Sequence, residues 1–190
     1  MNEPEKSTAS ATVYTVGHGT RLIEELVEVL RSVHVRTIVD VRRFPGSRRN
    51  PHLARDALAQ ALPRHGLRYE WQGEELGGRR TRVPESRHAA WRNAAFQGYA
   101  DFMETETFRR ALRDLVKRAT SGEKLAVMCA ETLWWRCHRR LIADALLVAG
   151  VNAVHLLDGK TAHDHQLHES ARIEDDETIV YDVGVDRELL

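Results

Sequence analysis

The sequence predicts one three-layer α/β domain built on a mostly parallel sheet. Short apolar runs alternate with longer stretches of helical periodicity, the pattern of strands joined by crossover helices. The run KLAVMC at 124–129 is apolar almost throughout, as a strand covered on both faces must be. The 190 residues, 42% apolar and 29% charged, suffice for one core and leave no room for a second full-sized domain.

Taken in order, residues 1–12 read as a flexible polar tail and VYTV at 13–16 as a short buried strand. Thr20 is placed to cap a helix in which Leu22, Ile23, Leu26, Val29, Leu30 and Val33 share one side. TIVDV at 37–41 is the second strand. The irregular loop RRFPGSRRNP follows, and its Asn50-Pro51 signals a helix start. The next helix turns Leu53, Leu58 and Leu62 inward and stops at Gly66, after which LRYEW at 67–71 alternates as a strand. Residues 73–95 carry no clear period and read as a long functional or mobile loop. A short helix is expected at 96–103, and a clearer one opens at Thr105 with Phe108, Ala111, Leu112 and Leu115 inward. Beyond the 124–129 strand a helix runs from about 136 to 149, and NAVHLL at 152–157 is the last strong strand. The α/β domain is thus expected at 13–170. Residues 171–190 form an acidic extension whose IVYDV reads as an edge strand.

Several classes drop out on composition. Two cysteines, Cys129 and Cys137, rule out a disulfide framework and point to a reducing compartment. No apolar stretch approaches the ~20 residues that span a bilayer, and the N-terminal residues carry no signal-peptide core, so a cytoplasmic protein without a membrane partner is expected. Net charge is zero but unevenly placed: residues 42–92 hold twelve Arg against five acidic residues, and 158–190 hold ten acidic against three basic. Either the two segments pair with each other or the Arg-rich one faces phosphates. Arg outnumbers Lys 24 to 4 along the whole chain, so the Arg excess alone does not single out nucleic acid.

Ligands of open parallel sheets gather beyond the carboxyl ends of the strands. Those ends here carry His18, then Asp40-Val41-Arg42-Arg43, then Cys129-Ala130-Glu131, then His155 and Asp158. Cys129 is the candidate nucleophile or redox thiol, because a following helix N-terminus and Arg136, Arg139 and Arg140 could hold it as a thiolate; the alternative is a small core residue. Glu131 suits an acid–base or nucleophilic role, or equally a carboxylate seated at the helix start. Cys137 and His138 add a second thiol and an imidazole. Cys129 and Cys137 could close a redox loop, or join His138 and His155 around a metal, although the spacing is not that of a zinc ribbon. Trp134 and Trp135 cannot both face one core, so one is expected over the pocket or a flat ligand, or packed on the Arg-rich loop. His163, His165 and His168 read as a solvated tail.

VGHGT at 16–20, VDVRRFPGSRRNP at 39–51, LGG at 76–78, GYADFM at 98–103, MCAE at 128–131, CHRRLIADAL at 137–146 and VHLLDG at 154–159 together resemble the bacterial and archaeal domain of unknown function 488. The resemblance spans about residues 13–170, and His165-Gln166-Leu167 is similar to a His-x-Leu that follows the family's last strand. It implies a site made of His18, Asp40, Arg42, Cys129, Glu131, Cys137, His138 and Arg139, without implying a reaction. The layout TIVDVR followed by LAVMC, a helix and a strand ending in Gly is also similar to rhodanese-like domains, so the sheet is expected in a Rossmann-like or rhodanese-like arrangement.

The reading that follows is a cysteine-dependent enzyme, a transferase or hydrolase, with its pocket at the carboxyl edge of the sheet. Cys129, Glu131 and His138 are its expected catalytic residues, and His18, Asp40, Arg42, Arg43, Tyr99 and Arg139 its substrate-binding ones. The substrate is a small anion, nucleotide-like or sulfur-containing, and no cofactor is named. The rival readings are a nucleic-acid-binding module using residues 42–92 and a redox or sensor domain with a metal at Cys129, Cys137 and His155.

Overall fold

The structure is a computed structural model that describes residues 11–184. The expected flexible tail therefore lies, up to residue 10, outside the described residues. Its last residue joins the first strand, β1 (Thr12–Gly17). The chain continues through α1 (Ile23–Arg31), β2 (Thr37–Asp40), a 3-10 turn (Pro51–Leu53), α2 (Arg55–Arg64) and β3 (Arg68–Trp71). After α3 (Gly73–Leu76), α4 (Ala94–Met103) and α5 (Glu106–Thr120) come β4 (Leu125–Cys129), a 3-10 turn (Trp134–Arg136), α6 (Arg139–Val148) and β5 (Asn152–Leu156). Three short strands end the described chain: β6 (Ala162–Asp164), β7 (Ala171–Ile173) and β8 (Ile179–Tyr181).

Six strands form one sheet in the order β3-β2-β4-β1-β5-β6, parallel except for β6 at the edge. The apolar run at 124–129 is the reason β4 sits inside. Leu125 and Val127 face α5 and α6, while Ala126 and Met128 face α1 and α2, and all four are buried. The first face also takes Val39, Phe108, Leu115, Leu141 and Leu146; the second takes Ile38, Leu26, Leu30, Leu58 and Leu62. Helices on both faces give three layers, as a parallel sheet requires. No helix among the described residues is long and apolar enough to cross a membrane.

Several expectations about elements change. The stretch 73–95, expected as a loop, opens with α3, and α6 starts at Arg139 and not at about 136. Thr20 does not cap α1. Gly19 takes a left-handed turn, and the helix starts after Leu22, whose N–H donates to Glu25 Oε2 at 2.7 Å. IVYDV is not an edge of the main sheet: β8 pairs antiparallel with β7 in a separate two-stranded sheet. Ile179, Val180 and Tyr181 are buried because that hairpin packs beside α4, where Ala90 N–H donates to the Tyr181 carbonyl. The acidic segment pairs with Arg87 through Glu174 and with Arg109 through Asp176, so part of the charge asymmetry is cancelled internally.

Candidate active site at the carboxyl edge of the sheet

Because β1, β2, β4 and β5 run parallel, the residues that follow them meet at one edge. Gly17 is what allows the closest approach there. A Cβ on it would lie 2.0 Å from the Glu131 carbonyl oxygen, so only glycine lets the loop after β4 cross the end of β1. The two segments stay zipped beyond the strands, with His18 N–H on the Cys129 carbonyl at 2.9 Å and Gly19 N–H on that of Ala130 at 3.0 Å.

A cleft of about 140 Å³ opens at this edge, lined by Arg42, Arg43, Phe44, Gly78, Arg79, Cys129, Ala130 and His138. Arg42 contributes a wall more than a free charge. Its Nε and NH2 donate to the fully buried Asp40 at 2.8 and 2.5 Å, and its NH1 to the Leu53 carbonyl and His18 Nε2, each at 2.8 Å. Tyr69 O–H donates to the same carboxylate at 2.6 Å. Burial first, then Arg42, lowers His18 to about 4, so its ring is neutral: Nε2 accepts from Arg42 and Nδ1–H donates to the Gly19 carbonyl. This network pins the 42–53 loop and so places Arg43 and Phe44.

Arg43 and Arg79 are the uncompensated charges. Arg43 NH1 donates to the Arg79 carbonyl at 3.0 Å, and the two guanidiniums flank the exposed Phe44 ring at 5.4 and 5.9 Å. No carboxylate pairs with either among the described residues. Arg80 stacks on Phe102 at 3.6 Å; its burial, followed by the nearby charge of Arg43, lowers its pKa.

Two thiols meet beneath the cleft. Cys129 is half-buried and faces it, while Cys137 is buried. Arg139 and His138 both contact Cys137: Arg139 Nε donates to its sulfur at 3.5 Å, and His138 Nδ1 lies 3.6 Å away. A hydrogen bond from Cys129 to Cys137, helped by His138 and Arg139, holds Cys137 well below the usual thiol range. The same bond, with burial, pushes Cys129 up. The sequence reading expects the low-pKa sulfur at Cys129; the direction instead favours Cys137, because the Cys129 hydrogen bond, His138 and Arg139 all act on that sulfur.

The remaining expected site residues lie behind the cleft. Arg139 is 1% exposed and its guanidinium holds the Glu131 carbonyl. The Glu131 side chain turns the loop by accepting from Leu133 N–H at 3.1 Å and does not line the cleft. Tyr99 is buried, its O–H on the Leu76 carbonyl at 2.7 Å and its ring against His138 at 4.9 Å, so it packs behind the imidazole and does not line the cleft. Cys129, Cys137 and His138 bring three metal-ligand atoms within 4.8 Å of one another. His155, the third metal donor in the sequence reading, is not among them. It is a mid-strand residue of β5 and is engaged elsewhere.

That engagement is a buried chain the sequence did not reveal. Thr15 Oγ1 lies 2.6 Å from His155 Nδ1, His155 Nε2 2.9 Å from His165 Nδ1, and His165 Nε2 2.9 Å from Asp144 Oδ1. Tyr181 O–H donates to Asp144 Oδ2 at 2.8 Å. One assignment satisfies every atom: His165 donates to Asp144, His155 to His165, Thr15 to His155, and Arg139 NH1 to Thr15 at 3.4 Å. Trp134 stacks flat on His155 at 4.1 Å and Trp135 is exposed, so neither indole covers the cleft. His165 is therefore a core residue and not part of a solvated tail.

With this geometry in place, the comparison with known families is specific. Residues 22–146 match the family described as Domain of unknown function DUF488. The chain belongs to that family. The DUF488 match includes Asp40, Arg42, Cys129, Glu131, Cys137, His138 and Arg139, and it leaves out His18, His155 and His165. No curated protein and no solved structure matches the chain.

Proposed function

We propose that the chain is a cysteine-dependent enzyme acting on a small anionic substrate, nucleotide-like or sulfur-containing, in the cleft at the carboxyl edge of the sheet. One observation carries this reading: Cys129 and His138 line the same small cleft as Arg43 and Arg79, two guanidiniums with no carboxylate partner among the described residues. An anion drawn to that positive end is set against the Cys129 sulfur. Cys129 S–H attacks an electrophilic centre, its proton passes to the Cys137 thiolate, and Arg139 and His138 remain in contact with that second sulfur. The leaving group takes its electron pair away, and a proton from Cys137 or His138 can follow it.

The nucleic-acid reading has less support. Four of the twelve Arg of 42–92 are engaged within the chain: Arg42 is buried on Asp40, and Arg55, Arg68 and Arg87 pair with Asp56, Glu123 and Glu104.

Alkylation separates these cases. Iodoacetate should label Cys129 faster than neutral iodoacetamide does, relative to their rates on a small free thiol. Phosphate, nucleotides or thiosulfate should slow the labelling, and Arg79→Ala should remove the preference. Equal relative rates with no protection by any anion would end the proposal.

A further inference from the structure

We propose that Cys129, Cys137 and His138 bind one thiophilic divalent cation of the zinc class, with the fourth coordination position facing the Arg-lined cleft. The inference rests on taking that cleft as the functional site; with the ion bound, Cys129 and Cys137 are ligands, so the thiol chemistry and alkylation described above belong to the metal-free chain.

The donor geometry is the main argument. The three ligand atoms lie within 4.8 Å of one another. In a tetrahedral zinc site with Zn–S near 2.3 Å and Zn–N of about 2.0–2.1 Å, the sulfur–nitrogen edge is roughly 3.5–3.6 Å. Cys137 Sγ and His138 Nδ1 are 3.6 Å apart. That spacing also suits two ligands of one ion.

His138 is otherwise idle. Its Nε2 is buried without a partner, and its Nδ1 faces only sulfur among the described residues. The ring edge is kept open on the other side by Gly78, where a Cβ would sit 2.8 Å from Nδ1. Two thiolates and an imidazole select zinc-class ions over magnesium or calcium, which prefer oxygen. The ion's two charges are balanced by the two sulfurs, and any proton they carry leaves to solvent as the metal binds.

The surroundings suit such a centre. Arg139 Nε donates to Cys137 Sγ, the outer contact that orients a thiolate ligand, and Arg139 is itself held by the Thr15–His155–His165–Asp144 chain. Structural zinc sites use four protein ligands, whereas catalytic ones keep three and leave a position open. Among the described residues three donors are present, and two of their residues, Cys129 and His138, line the cleft with Arg43 and Arg79. The open position would take an oxygen or sulfur atom of the anion.

The full chain, purified without chelator, should carry about one zinc per molecule by elemental analysis. After stripping, titration with cobalt(II) should give thiolate-to-cobalt charge-transfer absorbance and the intense visible bands of a tetrahedral site. Cys137→Ser and His138→Gln should each weaken cobalt binding beyond the roughly 10–100-fold loss typical of an outer contact. His155→Gln, folded by circular dichroism, should keep the charge-transfer band, and losing it would overturn the donor set. A folded, stripped wild-type chain that gives no band, with both thiols titratable by a disulfide reagent, would overturn the site itself. In that event anion protection of Cys129 alkylation would still uphold the thiol reading. Tight cobalt binding with no effect of any anion would uphold the metal and end that reading.

Discussion

Two buried polar clusters meet α6, one before its first turn and one around Asp144, and they differ in what is left over. Around Asp144 every polar side-chain atom named above has a partner, from Arg139 through Thr15, His155 and His165 to Tyr181. At the N-terminal end two sulfurs crowd together, His138 lacks an oxygen or nitrogen partner among the described residues, and a cleft opens beside them. A closed network stabilises one arrangement, because breaking any link strands a buried group. An open one has donor capacity to offer a ligand. The contrast separates scaffold histidines from a working one, although both kinds lie within a few ångströms of the same helix.

The sharpest way to break the contrast is to remove the hub of the closed network. Asp144→Ala strands His165 Nε2, the Tyr181 hydroxyl and the His168 N–H, so it should cost roughly 3–5 kcal/mol in urea unfolding. A loss below about 1 kcal/mol would show that the chain is dispensable and the contrast illusory.

Acid should act on the closed networks next. Burial is the main cause that lowers His155 to about 2 and His18 to about 4, against an ordinary 6.5. Below pH 6.5 the unfolded chain protonates these rings while the folded one does not, so the unfolded state binds more protons and stability falls as pH falls. The slope is about 1.4 kcal/mol per pH unit for each ring, running to about pH 4 for His18 and further for His155. Urea midpoints at pH 7, 6 and 5 test it, and His18→Gln should flatten its share.

The smallest expected change in stability sharpens the open side. Gly78→Ala brings a Cβ to 2.8 Å from His138 Nδ1, which the ring can avoid by moving into the cleft. Unfolding should shift by about 1 kcal/mol or less, since no backbone bond is lost. Alkylation rates of both thiols should nevertheless change as the imidazole leaves Cys137. Unchanged rates would mean that His138 does not govern the sulfurs.

Local signals made much of the fold legible. The run at 124–129 placed β4 inside the sheet, and Thr105, Gly122 and Gly150 marked the ends of helices that exist. The same signals gathered His18, Asp40, Arg42 and Cys129 at one edge, because parallel strands share their carboxyl ends. They could not rank those residues by depth. Whether Arg139 faces the cleft or supports its floor depends on helix rotation, and α6 begins three residues later than periodicity suggested. His165 looked solvated because its neighbours are polar; its partners, His155 and Asp144, lie 10 and 21 residues away. The low pKa of Cys137 was hidden for a similar reason, as it depends on a sulfur eight residues upstream.

The strand order has a consequence for how the chain is made. β4 is fourth in sequence yet pairs with both β1 and β2, which are not neighbours in the sheet. A ribosome extending the chain from its N-terminus therefore releases two strands separated by an empty slot, with inner edges able to recruit foreign strands until residues 125–129 emerge. Long-range pairing of this kind is slow, because the intervening loop must close first. The strand that fills the slot also carries Cys129, so closure of the sheet and delivery of the cleft's sulfur are one event during biosynthesis.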